Sequence, residues 1–336
     1  MNKIKIGILS PSEIAFRRFM PALSKLNNIF EFKGIAIASE KEWNGILTSE
    51  IKGNEEKKAL QFTENYGGNL YYSYSELIES EDIDAVYIPL PPGLHYEWAK
   101  KALINKKHVF VEKPSTINVK DTQELIELAK ENGVALHENY MFIFHDQIRY
   151  INKLIDDKEI GDIRLFRTNF GFPKRAENDF RYNKSLGGGA LFDCGGYPVK
   201  LLQILMGDDI RIDSAKLFVN ENDIDLYGSA QLSNSKYIGQ ISFGMDNEYR
   251  CDLEIWGSTG IIKTSRIFSA PNSLECEIFI EKNHQERIIK IEADDTFYKS
   301  LLYFNECINN FITRSKSLIK IEQQSKLVQQ LFEKGI

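Results

Sequence analysis

The chain has 336 residues, of which 43% are hydrophobic and 27% charged, and its formal net charge is -6. This balance is typical of a globular protein of about two domains, and without a long Lys/Arg cluster it argues against nucleic acid as a partner. No apolar stretch approaches the roughly 18 residues of a membrane span, and the four cysteines lack a CxxC spacing. We therefore expect no membrane partner, no metal site and no disulfide framework. Because no signal-peptide pattern precedes the first apolar run, we expect a cytoplasmic protein.

The first part of the chain alternates short apolar runs with segments of helical periodicity, which indicates βαβ units and a parallel sheet. Strands are predicted at 3–9, 32–38, 69–72, 84–88, 107–111 and 134–138, and helices at 13–26, 55–66, 94–104 and 120–132. These elements predict a Rossmann-like, doubly wound parallel α/β domain over residues 1–120. The strand at 134–138 is expected to rejoin its sheet.

The pattern then changes to closely spaced alternating runs that are typical of an antiparallel sheet. A helix is predicted at 145–157, a strand at 162–170 and a helix near 190, followed by strands at 224–233, 236–245, 249–258, 260–265 and 276–281 and helices at 296–313 and 320–334. Residues 121–336 are therefore predicted to form an α+β domain with a large, mainly antiparallel open sheet.

The turn after the first strand lies where a dinucleotide-binding fold has its glycine-rich phosphate loop. Its sequence is GILSPSEIAFRR, with Ser10, Ser12 and Ala15 at the positions of Gly-x-Gly-x-x-Gly/Ala. A serine hydroxyl can cap the helix, so the phosphate geometry is retained provided that neither serine needs positive φ. We predict pyrophosphate contacts at Ser10, Ser12, Glu13 and Ile14. A capped helix without a nucleotide is the alternative.

The end of the second strand, IAIASEK, bears on the choice between NAD(H) and NADP(H). Small polar and basic residues at this place accommodate a 2'-phosphate, whereas an acidic residue binds the ribose hydroxyls. Ser39 and Lys41 favour NADP(H), while Glu40 favours NAD(H). We predict that NADP(H) is favoured over NAD(H). For Glu40 and Lys41 a solvated loop is the alternative.

A third segment, VFVEKPST, brings charge to the end of an apolar strand. Glu112 and Lys113 follow Val109–Val111, which would be a poor way to build a core. Open α/β sheets hold their ligands at the carboxyl ends of their strands, so this is a reasonable place for functional charges. Pro114 biases Lys113 away from the helical conformation and directs the chain out of the strand.

Several motifs together resemble the Gfo/Idh/MocA oxidoreductase family. The strongest is DIDAVYIPLPPGLHYEWAKKALINKKHVFVEKPST at 82–116, supported by NKIKIGILSPSEIAFRRFMPAL at 2–23 and LGGGALFDCGGYPVKLLQILMG at 186–207. KEIGDIRLFRTNFGF at 158–172 and IWGSTGII at 255–262 extend the resemblance over nearly the whole chain. Departures are the Ser-Pro-Ser turn, and Ile143 and Asp146 where the family often has Arg and Pro.

The resemblance implies an NAD(P)(H)-dependent oxidoreductase whose second-domain sheet holds the substrate and often the oligomer contact. It implies that Lys113, Asp193 and Tyr197 are the catalytic group, with tyrosine in the place of histidine as in sugar ketoreductases and dihydrodiol dehydrogenases. Asp193 and Tyr197 are four residues apart on a helix and share one face. Lys113 would stabilise the Tyr197 phenolate, so that the pair could donate a proton to a carbonyl oxygen.

The resemblance also implies further contacts at the cofactor side and suggests contacts for the substrate. Expected cofactor contacts besides those already named are Leu90, Pro91, His95, Glu112 and Lys113. The loop PKRAENDFRYNKS offers Arg175, Asp179 and Arg181 for sugar hydroxyls or a nucleotide-sugar phosphate, because arginine suits bidentate phosphate recognition. A solvated loop is the alternative for these three, and a polar surface or cap residue is the alternative for His95.

The predicted function is hydride transfer between NAD(P)(H) and a carbohydrate carbonyl or alcohol, most simply by a sugar or nucleotide-sugar ketoreductase. One alternative is a cyclic diol or polyol dehydrogenase. Another is a dinucleotide-sensing regulatory protein without turnover, although such a protein would not need Lys113, Asp193 and Tyr197. We expect a homo-oligomer, a dimer or tetramer, formed through the second-domain sheet.

Overall fold

The computed structural model describes residues 3–336. Its strands are β1 (Ile4–Leu9), β2 (Phe30–Ala36), β3 (Asn69–Tyr71), β4 (Ala85–Ile88), β5 (His108–Glu112), β6 (Leu136–Asn139), β7 (Ile163–Gly171), β8 (Arg211–Val219), β9 (Asp225–Ser233), β10 (Ile238–Gly244), β11 (Arg250–Gly257), β12 (Gly260–Ser265), β13 (Cys276–Lys282) and β14 (Gln285–Ile291). Its α-helices are α1 (Met20–Ser24), α2 (Ser49–Tyr66), α3 (Tyr74–Glu79), α4 (Pro92–Ile104), α5 (Val119–Glu131), α6 (Asp146–Asp156), α7 (Gly196–Met206), α8 (Thr296–Asn309) and α9 (Phe311–Gly335). Two π-helical segments, Ala15–Phe19 and Leu191–Gly195, lead directly into α1 and α7.

The first sheet has the strand order β3-β2-β1-β4-β5-β6, and all its neighbouring strands are parallel. This is the order of a Rossmann fold, in which ligands bind beyond the carboxyl ends of the strands. The central strand β4 is buried at every position, as expected for a parallel strand that is covered on both faces. The predicted Rossmann-like domain is therefore confirmed.

The second sheet has eight strands in the order β14-β13-β12-β11-β7-β10-β9-β8. Its neighbours are antiparallel except for the parallel pair of β7 with β10. Buried and exposed residues alternate along strands such as β9 and β11, so one face packs on the core and the other is open. The predicted α+β fold with a large, mainly antiparallel sheet is confirmed.

The chain divides into two compact units. The first comprises the chain up to Asn139 together with Phe297–Glu322, and the second comprises Tyr140–Thr296 and Gln323–Ile336. The structure thus groups residues 121–133, which the sequence assigned to the second domain, with the first sheet, and the strand predicted at 134–138 rejoins that sheet as expected. The physical reason is that β6 pairs with β5 and that the buried face of α5 belongs to the core of the first unit.

Four differences from the predicted elements reflect local sequence. The sequence did not predict α3, because a helix of six residues shows little periodicity. It also did not predict the strands β8 and β14, because both carry many polar side chains. The last helix begins at Phe311, nine residues earlier than expected. Among residues 3–336, no helix combines the length and the apolar character that crossing a bilayer requires.

Candidate active site

The first turn retains the geometry of a phosphate loop without its glycines. Ser10 has φ 80°, the left-handed conformation usual for glycine, so the expectation that this turn requires both serines to avoid positive φ is wrong. Ser12 caps the following helix, since its Oγ accepts the N–H of Ala15 at 3.2 Å. The N–H groups of Glu13 and Ile14 belong to the first turn of that helix, where backbone donors lack intrahelical acceptors. This turn therefore fits a dinucleotide pyrophosphate, with Ser10, Ser12, Glu13 and Ile14 as the residues that would hold it.

The donors of Ser39 are directed to a carboxylate that the sequence did not single out. Glu42 Oε2 accepts both the N–H and the hydroxyl of Ser39, at 2.9 and 2.8 Å. The same carboxylate accepts hydrogen bonds from the Ser73 hydroxyl, the Tyr74 N–H, and the N–H and hydroxyl of Ser75, all within 3.0 Å. Burial alone would raise the pKa of Glu42, but these hydrogen bonds outweigh burial and lower the pKa to about 2.

The other two residues of this loop remain on the surface. Glu40 lies 4.0 Å from the ammonium group of Lys52, and both side chains are well exposed. Lys41 is exposed as well. Of the two residues predicted to favour a 2'-phosphate, Lys41 thus keeps its charge accessible, while Ser39 has its two donors engaged by Glu42.

His95 holds two strand-end loops together. Its ring has no exposed surface, and its nitrogens lie 2.7 Å from two backbone carbonyl oxygens, Nε2 from that of Leu90 and Nδ1 from that of Pro114. Burial lowers the pKa of His95 to about 4, and the two carbonyl acceptors oppose this shift. The geometry gives His95 a structural task between the backbones of Leu90 and Pro114, and its cofactor contact stays a prediction.

Glu112 belongs to a buried chain of hydrogen bonds in the first unit. Its Oε1 accepts from the Tyr87 hydroxyl at 2.8 Å and from Asn139 Nδ2 at 2.7 Å. The Ser300 hydroxyl donates to Asn139 Oδ1 at 2.8 Å, so His137 Nε2, 2.8 Å from the Ser300 oxygen, must be the donor of that contact. Burial raises the pKa of Glu112, although the hydrogen bonds from Asn139, Tyr87 and the Lys113 N–H oppose this shift.

Lys113 stands next to this chain at the carboxyl end of the first sheet. A cis peptide bond joins it to Pro114. Burial dominates the pKa of both neighbours, and the positive charge of Lys113 opposes the rise of the Glu112 pKa and adds to the fall of the His95 pKa. The predicted cofactor-side residues Leu90, Pro91, His95, Glu112 and Lys113 are therefore brought together at one edge of the sheet.

Asp193 and Tyr197 lie on the long helix of the second unit, which runs over residues 190–206. Asp193 falls in the π-helical segment and Tyr197 at the start of α7. The N-terminus of this helix is held by Asp225 of β9, whose Oδ2 accepts the N–H of Leu191 at 2.6 Å. Burial raises the pKa of Asp225 to about 7, against the lowering effect of its backbone donors.

Tyr197 is surrounded by aromatic rings of the second unit. Its ring centroid lies 5.3 Å from that of Tyr140 and 5.1 Å from that of Phe170, both edge-on, and Phe142 and Phe268 lie within 5.7 Å. Edge-to-face packing of this kind restricts the orientation of a ring. The phenol is therefore held by its neighbours, which suits a group that must present one hydroxyl to a substrate.

The three loop residues proposed for substrate binding divide into two groups. Arg181 Nε donates to Asp193 Oδ2 at 2.6 Å, and its Nη1 lies 3.1 Å from Asp179. Arg181 and Asp179 therefore form an ion-pair network with Asp193. Arg175 is separate: its guanidinium lies 5.1 Å from the centroid of the Phe172 ring, and its side chain is exposed.

Comparison with known proteins defines the class to which this site belongs. Residues 33–140 match the family described as an oxidoreductase family with an NAD-binding Rossmann fold, and residues 148–263 match its C-terminal domain. The chain thus has the two domains of a dinucleotide-dependent oxidoreductase. It belongs to the Gfo/Idh/MocA family.

Several relatives are similar over nearly the whole chain. The crystal structure of KijD10, a 3-ketoreductase from Actinomadura kijaniata in complex with NADP and TDP-benzene, has a TM-score of 0.90 at 32% identity and covers 99% of this chain and 98% of that chain. The dTDP-3,4-didehydro-2,6-dideoxy-alpha-D-glucose 3-reductase of the same organism is 34% identical over 91% of this chain and 88% of its own length. A trans-1,2-dihydrobenzene-1,2-diol dehydrogenase of Xenopus tropicalis is 30% identical over 80% of this chain and 78% of its own length.

Proposed function

We propose that this protein is an NADPH-dependent reductase of a nucleotide-linked keto sugar, with the 3-keto group of a dTDP-linked deoxysugar as the favoured substrate. The observation that carries the proposal is the similarity to KijD10, which extends over 99% of this chain. The KijD10 structure contains NADP and TDP-benzene. Four relatives with the name dTDP-3,4-didehydro-2,6-dideoxy-alpha-D-glucose 3-reductase, at 28–35% identity, support it.

A second observation supports roles for Lys113 and Tyr197. Crystal structures of KijD10 include variants in which one lysine is replaced and a variant in which one tyrosine becomes phenylalanine. In KijD10 these two residues are separated by the same number of positions as Lys113 and Tyr197 here. We infer that Lys113 and Tyr197 correspond to this pair.

The chemistry assigns one task to each residue. Bound NADPH supplies the hydride that reaches the carbonyl carbon. Tyr197 donates its phenolic proton to the carbonyl oxygen, which becomes the hydroxyl of the product. The positive charge of Lys113 stabilises the phenolate that remains. Asp193 shares a helix face with Tyr197 and is held by Arg181, so it orients the hydroxyls of the sugar.

The preference for NADPH rests on Lys41 and on the NADP that KijD10 binds. Lys41 is exposed, and an ammonium group there can pair with a 2'-phosphate. Ser39 adds little to this argument, because its hydroxyl and its N–H both donate to Glu42.

An assay with the intact protein tests the proposal. NADPH and an enzymatically prepared dTDP-linked 3,4-didehydro-2,6-dideoxyglucose are mixed with the protein, and the loss of NADPH absorbance is followed together with the mass of the product. We expect NADPH consumption that depends on the sugar and a product with two additional hydrogens. Consumption of NADPH at the rate of the protein-free control would contradict the proposal.

Oxidation of a cyclic diol is the second candidate, because the dihydrodiol dehydrogenase of Xenopus tropicalis covers 80% of this chain. It predicts reduction of NADP⁺ when trans-1,2-dihydrobenzene-1,2-diol is the substrate. Comparing the two substrates at equal protein concentration distinguishes the candidates. The ratio of their kcat/KM values is the quantity that decides.

We further propose that the open face of the eight-stranded sheet forms a homo-oligomer contact. Large apolar side chains lie on this face, among them Trp256 at 55% exposure and the pair Phe279 and Ile288, which are cross-strand neighbours. Exposed apolar side chains that cluster on one face mark interaction sites. Light scattering after size exclusion should give the mass of a dimer or tetramer, and Trp256→Glu should lower it. A monomer mass for the unaltered protein would overturn this proposal.

A further inference from the structure

Two buried residues that the sequence did not single out, Tyr140 and Gln324, contact Tyr197 and its peptide bond. Each has an exposure of 1%. Gln324 Nε2 donates to the carbonyl oxygen of Gly196 at 2.8 Å and to the Tyr140 hydroxyl at 3.3 Å. The Gly196 carbonyl is part of the peptide bond that leads to Tyr197. Gln324 therefore fixes the backbone from which the Tyr197 side chain starts.

Tyr140 fixes the ring of the same residue. Its ring meets that of Tyr197 edge-on, with centroids 5.3 Å apart and an interplanar angle of 85°. The hydroxyl of Tyr140 is held in turn by Gln324. Backbone and ring of Tyr197 are thus held by two residues that are themselves hydrogen-bonded to each other.

The helix is built to admit this contact. A Cβ at Gly196 would lie 2.2 Å from the Tyr140 hydroxyl oxygen, so any larger residue would displace Tyr140. The π-helical segment ends at Gly195, immediately before this position, and such segments disturb the regular pattern of carbonyl acceptors. The side chain of Gln324 supplies a donor to a carbonyl at this transition.

A buried cation completes the surroundings of Tyr140. Lys200, on the same helix as Tyr197, is 6% exposed, and its Nζ lies 6.0 Å from the centroid of the Tyr140 ring. A cation at this distance is attracted to the face of an aromatic ring. Tyr140 is therefore held at its hydroxyl by Gln324 and at its ring by Lys200 and Tyr197.

We propose that Tyr140 and Gln324 form a clamp that positions Tyr197 for proton transfer. Both are positioning residues of the second unit, since they act through Tyr197: Tyr140 contacts its ring, and Gln324 binds the carbonyl of the preceding residue. The inference rests on the proposed reductase function for its catalytic consequence. The orientation of Tyr197 itself can be measured without turnover, so the two proposals can fail separately.

The kinetic test compares Gln324→Leu with a matched control, Gln203→Leu. Gln203 is 2% exposed, lies on α7 like Tyr197, and donates from Nε2 to Gln323 at 3.1 Å. Gln324→Leu should lower kcat about 10-fold and leave the KM for the sugar within about twofold, because a misplaced reacting group costs mainly turnover. Gln203→Leu should keep kcat within about twofold of the unaltered protein. Equal losses in the two variants would overturn the clamp.

A second comparison separates positioning from general destabilisation. In a protein that already carries Tyr197→Phe, there is no phenol left to position. Gln324→Leu should therefore have no further effect on the residual kcat, whereas a purely structural role would multiply the two losses. Tyr140→Phe keeps the ring and removes only the hydroxyl, so its loss of kcat should be smaller than that of Gln324→Leu.

Fluorine NMR gives a measurement that does not require activity. With 3-fluorotyrosine placed only at position 197, the unaltered protein and Gln203→Leu should give one narrow signal. Gln324→Leu should give a broadened or split signal as the ring samples more than one orientation. A narrow, unshifted signal in Gln324→Leu overturns the clamp, and a changed signal with unchanged kcat overturns its part in catalysis. If the unaltered protein reduces no keto sugar, the proposed function fails while the NMR result still decides on the clamp.

Discussion

Arg181 and Asp193 form a short ion pair, in which Nε donates to Oδ2 at 2.6 Å and the side chains are only 23% and 11% exposed. The arginine comes from the loop before the long helix, and the aspartate lies one turn before Tyr197. Arg181 also binds Asp179 at 3.1 Å. Arg181, which was predicted to bind the substrate, therefore balances the negative charge of Asp193, which was predicted to take part in catalysis.

Replacing Arg181 by methionine should leave the Asp193 carboxylate without its largely buried counterion. We expect the free energy of unfolding in urea to fall by about 2 kcal/mol, because breaking an ion pair between partly buried side chains is costly. The exposed pair Lys184 and Asp223 provides the control, with side chains 69% and 76% exposed. Lys184→Met should change stability by less than about 0.5 kcal/mol. A similar small change in both variants would show that the Arg181 pair contributes nothing to folding.

His95 should make the protein less stable in mild acid. Burial lowers the pKa of His95 from 6.5 to about 4, so between these values the unfolded chain binds more protons than the folded one. The stability is fully present above pH 6.5 and is lost as the pH falls through about 4. His95→Gln should flatten part of this dependence. The rest should remain, because burial also lowers the pKa of His108 to about 4. Urea unfolding at several pH values measures the slope, and an unchanged slope in the variant would contradict this account.

Asp225 should make the protein less stable as the pH rises, which is the opposite of the effect of His95. Burial raises the pKa of Asp225 from 3.8 to about 7, so the folded state takes up a proton in this window and stability falls as the pH rises through it. Asp225→Asn cannot ionise, yet its amide oxygen can still accept the N–H of Leu191. Between pH 3.8 and 7, the free energy of unfolding should therefore fall less in the variant than in the unaltered protein. The difference between the two proteins should be at most about 4 kcal/mol, since one pKa unit corresponds to about 1.4 kcal/mol. Parallel curves for the two proteins would exclude Asp225 as the titrating group.

The parts of the fold that sequence could predict are those with strong local patterns. β4 and β5 fall within one residue of their predicted limits, because parallel strands covered on both faces read as unbroken apolar runs. The spacing of four residues between Asp193 and Tyr197 is also a local feature that can be read from the sequence. In contrast, the contacts of Glu42 with Ser73 to Ser75 and of Gln324 with Gly196 join distant parts of the chain, and a single glutamate or glutamine carries no signal for them. The sequence likewise could not predict that Arg181 pairs with Asp193, because this contact depends on the path of the loop that carries Arg181.

Lys113 and Tyr197 should be required for turnover and dispensable for cofactor binding. Lys113→Met and Tyr197→Phe should each lower kcat by about 10²-fold or more, if they carry proton transfer. NADPH affinity, measured by fluorescence titration, should change little. Tyr72→Phe is the control, because Tyr72 is 51% exposed and lies outside the second sheet. Unchanged turnover in either Lys113→Met or Tyr197→Phe would remove that residue from the mechanism.

The loop after β2 should discriminate between the two cofactors through Lys41 and not through Ser39. Both donors of Ser39 are bonded to Glu42, whereas the ammonium group of Lys41 is exposed. Lys41→Ala should therefore weaken NADPH binding about tenfold, the cost of one charge-assisted contact, and leave NADH binding unchanged. Ser39→Ala should leave the ratio of the two dissociation constants within about twofold, since it removes a hydroxyl that Glu42 already engages. Fluorescence titration of each variant with both cofactors gives the four constants. If Ser39→Ala lowers the preference for NADPH as much as Lys41→Ala does, Glu42 must release Ser39 when the cofactor binds.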